Sequence, residues 1–148
     1  DAYHATAPRP DGSTQAECIR QACREAGFDP SKDCVYVNAH GTGTVLNDIT
    51  ETRAYKIAFG DFASRLHISS SKSMHGHMMG AAGAAEAIVT IKAIENSTVP
   101  PTINLDEQDP ECDLNYTPNK AVNAGITLGI SDSFGFGGAN GCIAFRKV

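Results

Sequence analysis

At 148 residues, 41% of them apolar and 20% charged, the chain is long enough to bury a core and ordinary in composition for a globular domain. Its net charge of −5, with no basic cluster, speaks against a nucleic-acid partner. No apolar run reaches membrane-spanning length, because Gly and polar residues interrupt even the richest stretch, 78–94.

The first expected element is a helix over 14–26. Thr14 and Glu17 form a capping box, Ile19, Ala22, Cys23 and Ala26 keep helical spacing, and Gly27 ends it. "DCVYVNAH" alternates Val35 and Val37 and reads as a strand that runs into a glycine-rich turn at His40. A second helix is expected from near Asp48, with Ala54, Ile57 and Ala58 turned inward and Gly60 as its stop. "RLHISSSK" reads as a short strand leading to a second histidine turn, "SKSMHGH". Residues 78–94 are small and apolar nearly all round, the pattern of a central helix covered on every side. Gly80 and Gly83 in that helix predict a very close neighbour. "VPPTINLDEQDPECD" reads as an extended, proline-stiffened connection. "GITLGISDSF" and "GCIAFRKV" read as two strands joined by the wide glycine loop "GFGGANG". The order predicts one α/β domain over 1–148, in which both histidine turns leave strand ends and enter helices.

Cys18, Cys23, Cys34, Cys112 and Cys142 form an odd, scattered set without C-x-x-C spacing, which reads as buried thiols in a reducing compartment. No secretory signal opens the sequence. The chain starts at Asp1 without Met and is read as a segment whose targeting part lies outside it. A cytoplasmic location is expected, or a plastid or mitochondrion where a transit peptide precedes the segment.

A lone histidine is more often packed or exposed than catalytic. His40 has a different context: it follows a strand, "GTGT" clears space behind it, and Thr42 and Thr44 offer hydroxyls to an amide-containing chain. His77 repeats the arrangement, with Lys72 five residues earlier. Glu51 and Glu86 lie in the helices that follow the two turns, and a Lys–carboxylate contact there is as readily structural as catalytic. His75 and His77 are spaced poorly for a metal, since a turn glycine separates them and no Cys, Asp or Glu stands nearby. His4 and His67 read as surface or strand-face residues. "FGFGG" lacks the lysine and the strand-to-helix context of a phosphate loop. Phe134 and Phe136 among glycines suggest instead a hinged apolar flap with free backbone N–H groups, the parts of an oxyanion hole beside a gate.

"NAHGTGT", "SKSMHGHMMGAAGAAE", "VPPTINLDEQDPECDLNYTP" and "SDSFGFGGANG", in this order, resemble the C-terminal half of elongating β-ketoacyl-[acyl carrier protein] synthases. The resemblance implies the thiolase-like fold, a five-layered αβαβα structure of two similar halves with a mixed sheet flanked by helices. It implies a decarboxylative Claisen condensation in fatty acid elongation, between a Cys-bound acyl group and malonyl on acyl carrier protein. Two neutral imidazole donors would stabilise the enolate more than the ground state. The resemblance gives those roles to His40 and His77, and an orienting role to Lys72 near Glu51 and Glu86. Thr42 and Thr44 match positions that hold the phosphopantetheine arm, the substrate carrier, with no covalent cofactor and no metal. Phe134 matches a gating residue, and Phe136 follows it in the substrate channel. The nucleophilic Cys belongs to an N-terminal half outside this chain, and a homodimer is implied. Asp132 stands where Asn is usual, bringing an extra negative charge near the gate, and His75 stands where the family varies. Ketosynthases of dissociated polyketide systems share "GTGTVLND" and "DPECDLNYTP". Non-catalytic chain-length-factor subunits share the fold, but have no need for both histidines and Lys72.

Overall fold

The computed structural model describes residues 1–147. A four-stranded mixed sheet has the order β2 (His67–Ser69), β1 (Val35–Asn38), β5 (Leu128–Phe134), β6 (Asn140–Arg146). The first three strands are parallel, and β5 and β6 form an antiparallel hairpin. Helices α1 (Ser13–Glu25) and α2 (Val45–Phe59) lie on one face, where Val35, Val37, Ile68, Leu128 and Ile130 join Ile19, Ala54 and Tyr55 in the main core. The alternate residues face the other way: Tyr36 packs with Ala93 and Ile94 of α4 (Ala82–Asn96). Strands covered on both sides bury every position, as β1 does, so apolar alternation understates their burial. A one-turn helix, α3 (Lys72–His75), precedes α4, and a small ribbon of β3 (Thr98–Val99) and β4 (Val122–Asn123) brackets the long connection.

Several expectations are corrected. Thr14 and Glu17 do not form a capping box: Asp11 accepts the Ser13 N–H (2.9 Å) and hydroxyl (2.7 Å), Thr14 turns to Asp1, and Glu17 pairs with Arg24. Helix α2 starts at Val45, three residues early, because the extended Thr44 supplies the carbonyl that accepts the Asp48 N–H. Ile57 points outward, 38% exposed.

Helix α4 is not covered on every side within this chain. Its Ala82, Glu86, Thr90, Ala93 and Ile94 face the sheet, while Ile88 is 62% exposed. Nothing approaches a Cβ built on Gly80, and only Ser133 Oγ, at 3.9 Å, lies near one on Gly83. The close contact sits instead on the strand side, at Gly129 of β5. A Cβ there would lie 2.6 Å from Thr90 Cγ2 and 2.8 Å from Ile94 Cδ1, so only glycine lets α4 settle onto the sheet.

Candidate active site

Three parallel strands end at one edge of the sheet, so whatever follows them converges there. His40 follows β1, Lys72 and His77 follow β2, and Phe134 ends β5. The His40 and His77 rings stand edge to face with centroids 5.7 Å apart, and Phe134 meets His40 edge to face at 5.9 Å. Gly41 makes the approach of the two turns possible: its φ is +42°, and a Cβ would sit 2.4 Å from Ser70 Cβ. Ser70 Oγ donates to the Gly41 carbonyl at 2.8 Å and ties the turns together.

Burial sets the protonation of His40. The ring is 8% exposed, and desolvation, with lesser contributions from Lys72 and His77 set against Glu51, lowers its pKa to about 4. His40 is therefore neutral near pH 7 and keeps one N–H to donate. His77 is exposed in this chain, and its Nδ1 accepts the Met79 N–H at 3.2 Å. In the neutral ring that contact puts the proton on Nε2.

Lys72 and Glu86 form a buried ion pair, with side chains 4% and 0% exposed. Burial raises the Glu86 pKa, against the lowering effect of Lys72. Glu51 is not part of that pair. It sits under the His40 turn, accepting the His40 N–H (2.7 Å), the Gly41 N–H (2.9 Å), Asn47 Nδ2 (3.0 Å) and the Tyr55 hydroxyl (2.7 Å). One carboxylate thus anchors each histidine segment: Glu51 holds the backbone at His40, and Glu86 holds Lys72.

Asn38, Tyr55 and Ser71 also shape the site and escaped the sequence reading. Asn38 Oδ1 accepts the N–H and hydroxyl of Ser71, and its Nδ2 donates to the Glu86 carbonyl, joining β1, the β2 turn and α4. A polar residue at the end of a strand buried on both faces was the available signal for Asn38. For Tyr55 it was the four-residue helical spacing from Glu51. His75 Nε2 meets Ser71 Oγ and its Nδ1 the Gly76 carbonyl, so this ring serves its own turn.

Two clefts meet at His77, and His40 lines one of them. One, about 630 Å³, is lined by His40, His77, Thr44, Phe134 and the outward-facing Phe136. The other, about 510 Å³, runs past Lys72, Ser73, Cys112 and Tyr116. Among the described residues, only Thr42 and His77 line both, and Thr42 Oγ1 lies 3.1 Å from Thr44 Oγ1 at the rim. Phe134 belongs both to the first cleft and to the main core, 9% exposed. Among the described residues, no three His, Cys, Asp or Glu side chains are grouped to hold a metal ion, and no helix is long and apolar enough to cross a membrane.

A mixed sheet between helices thus carries two histidines, a buried Lys–Glu pair and a phenylalanine at its parallel edge. Residues 1–106 match the family "Beta-ketoacyl synthase, C-terminal domain", so the chain belongs to the β-ketoacyl synthases. It is 49% identical over 147 residues to the 3-oxoacyl-[acyl-carrier-protein] synthase 2 of Synechocystis sp., covering 99% of this chain and 35% of that protein. It is 47% identical over 148 residues to the synthase 2 of Coxiella burnetii, covering 100% of this chain and 36% of the relative. The chain thus spans about a third of the length of these relatives. Among solved structures, a β-ketoacyl synthase from Burkholderia phymatum superposes with a TM-score of 0.90 at 40% identity, over all of this chain and 35% of that one. A type II polyketide ketosynthase solved with its acyl-carrier protein and bound to a hexaketide gives 0.94 at 40% identity, over 100% and 36%. The fold is the thiolase-like α/β structure expected.

Proposed function

We propose that this chain is the enolate-stabilising half of a 3-oxoacyl-[acyl carrier protein] synthase that elongates fatty acyl chains. One observation carries the reading: two imidazoles, one kept neutral by burial and one with its Nε2 proton fixed by Met79, stand edge to face where two clefts meet at His77. Malonyl thioester held there loses carbon dioxide, and the electron pair of the broken C–C bond becomes an enolate. Donors from His40 and His77 offset the charge on the thioester oxygen. The enolate carbon attacks an acyl thioester, and the tetrahedral intermediate expels the thiolate of a Cys supplied by the N-terminal half. Thr42 and Thr44 bind the phosphopantetheine arm, and Phe134 shields the acyl thioester, with Phe136 at the rim. Lys72, held by Glu86, adds positive charge beside the malonyl group.

The partners of this reading are acyl carrier protein, the N-terminal half and a second copy in a homodimer. The apolar face of α4 at Ile88 and Ile91 is where the rest of the synthase covers this chain. Named relatives favour fatty acid elongation, while the superposition on a ketosynthase bound to a hexaketide favours polyketide extension. We place the chain with the former, at the higher identity. Full-length enzyme given acyl- and malonyl-acyl carrier protein is expected to release carbon dioxide and 3-oxoacyl product in equal amounts. Neither would appear from a non-catalytic chain-length partner.

A further inference from the structure

Asp132 lies beneath the His40 turn, fully buried, beside a Glu51 that is 3% exposed. The two acids compete for the same protons. The His40 N–H lies 2.7 Å from Glu51 Oε1 and 2.8 Å from Asp132 Oδ1. The Tyr55 hydroxyl lies 2.7 Å from Glu51 Oε1 and 2.8 Å from Asp132 Oδ2. Each of these donors has a single proton. Gly41 donates to Glu51, and Asn47 to Glu51 and Asp48, neither of them to Asp132, so Glu51 has donors that Asp132 lacks and Asp132 has none that it does not share. The buried ammonium of the site, Lys72, is already paired with Glu86.

Two ionised carboxylates in that position would be desolvated, adjacent and short of donors, the arrangement in which one of a pair keeps its proton. We propose that Asp132 is a protonated acid that donates its O–H to Glu51, so that the two residues share one negative charge and hold the His40 backbone as a unit. The proton falls to Asp132, because Gly41 and Asn47 donate to Glu51 and not to Asp132. Burial first, and then the charge on Glu51, push the Asp132 carboxyl well above the usual carboxylate range.

The groups facing Asp132 leave the assignment undisturbed. Glu51 and Tyr55 come from α2, the His40 N–H from the end of β1, Cys142 from the facing position on β6, and Cys18 from α1. Burial raises both thiols and the Tyr55 hydroxyl, so all three stay neutral and no cation stands among these neighbours. A carboxylic acid has the shape of an amide, with an O–H where Asn has an N–H. Asp132 thus places a donor against Glu51, and the extra negative charge expected from the sequence does not arise. Asp132 is a positioning residue: it touches no substrate and acts through the backbone of His40. That last step rests on the proposed role of His40, whereas the shared proton does not.

Infrared spectroscopy of the full-length synthase tests it. At pH 7 the C=O stretch of a protonated carboxyl is expected, shifted by [13C]aspartate labelling and missing from Asp132→Asn. A spectrum without that band, or a band that moves with [13C]glutamate instead, overturns the assignment whatever His40 does. In kinetics, Asp132→Ala is expected to lower kcat for malonyl decarboxylation at least tenfold with KM little changed, and Asp132→Asn to recover most of the loss. Asp132→Asn no better than Asp132→Ala would overturn the positioning role. Normal decarboxylation by His40→Ala, with the band present, would overturn the enolate reading and leave the shared proton standing.

Discussion

The Lys72 ammonium and the Glu86 carboxylate close on each other between α3 and α4, out of reach of solvent. A buried pair of this kind contributes little net stability when whole, but costs about 3–5 kcal/mol when one partner is removed.

Lys72→Met is therefore expected to destabilise the synthase by that amount, because it strands the Glu86 charge. Lys72→Met combined with Glu86→Gln should recover at least half the loss in urea unfolding. If the double variant folds well and still fails to decarboxylate malonyl, Lys72 acts on the substrate. If it regains activity, its role is structural.

His40 gives a pH dependence with a definite sign. Its folded pKa, about 4, lies below the ~6.5 of an unfolded histidine, so between those values the unfolded chain takes up the proton and the folded one does not. Stability then falls as pH drops through that window, by roughly 3 kcal/mol from this residue. Unfolding free energies at pH 4.5 and 7 should differ more for wild type than for His40→Asn. Equal differences would show that burial leaves the protonation of His40 unchanged.

Phe134 packs in the main core and is proposed to cover the acyl thioester, and two substitutions separate the two roles. As a member of the main core, Phe134→Ala is expected to lose about 3–5 kcal/mol. As the cover over the acyl thioester, it should also raise acyl-enzyme hydrolysis relative to condensation. Phe134→Leu should restore most of the stability without restoring that ratio. An unchanged ratio in both variants would leave only the packing role.

The exposed side of α4 predicts a change of sign with context. In the isolated segment, Ile88→Glu should leave the melting temperature unchanged, because Ile88 is exposed there. In the full-length synthase it should cost at least the ~1.5–3 kcal/mol of a buried isoleucine. The same effect in both would mean that nothing packs on this face.

The order of elements and the two histidine turns were readable because each rests on local pattern: the alternation of Val35 and Val37, the glycines behind His40, the terminal hairpin. What failed depended on distant partners. Thr14 lost its capping role to contacts with Asp1 and Asp11, and α3 is a single turn, with a Ser73 hydroxyl bond to the Ser70 carbonyl, that no apolar period announces. The stretch 78–94 is as apolar as read, but the cover expected on every side is not found within this chain, where Ile88 stands exposed. In the site, nothing local distinguishes Glu51 from Glu86 as the partner of Lys72. His40 and Asp132 are 92 residues apart, joined only when β1 and β5 pair.

The proposed role of His40 and His77 is to stabilise the malonyl enolate. Its most direct test is malonyl decarboxylation by full-length His40→Ala and His77→Ala, with acyl transfer to the nucleophile measured on the same preparations. Each variant should lose ~10²–10³ in decarboxylation rate while acyl transfer stays within a few-fold of wild type. Normal decarboxylation by both single variants would contradict the claim.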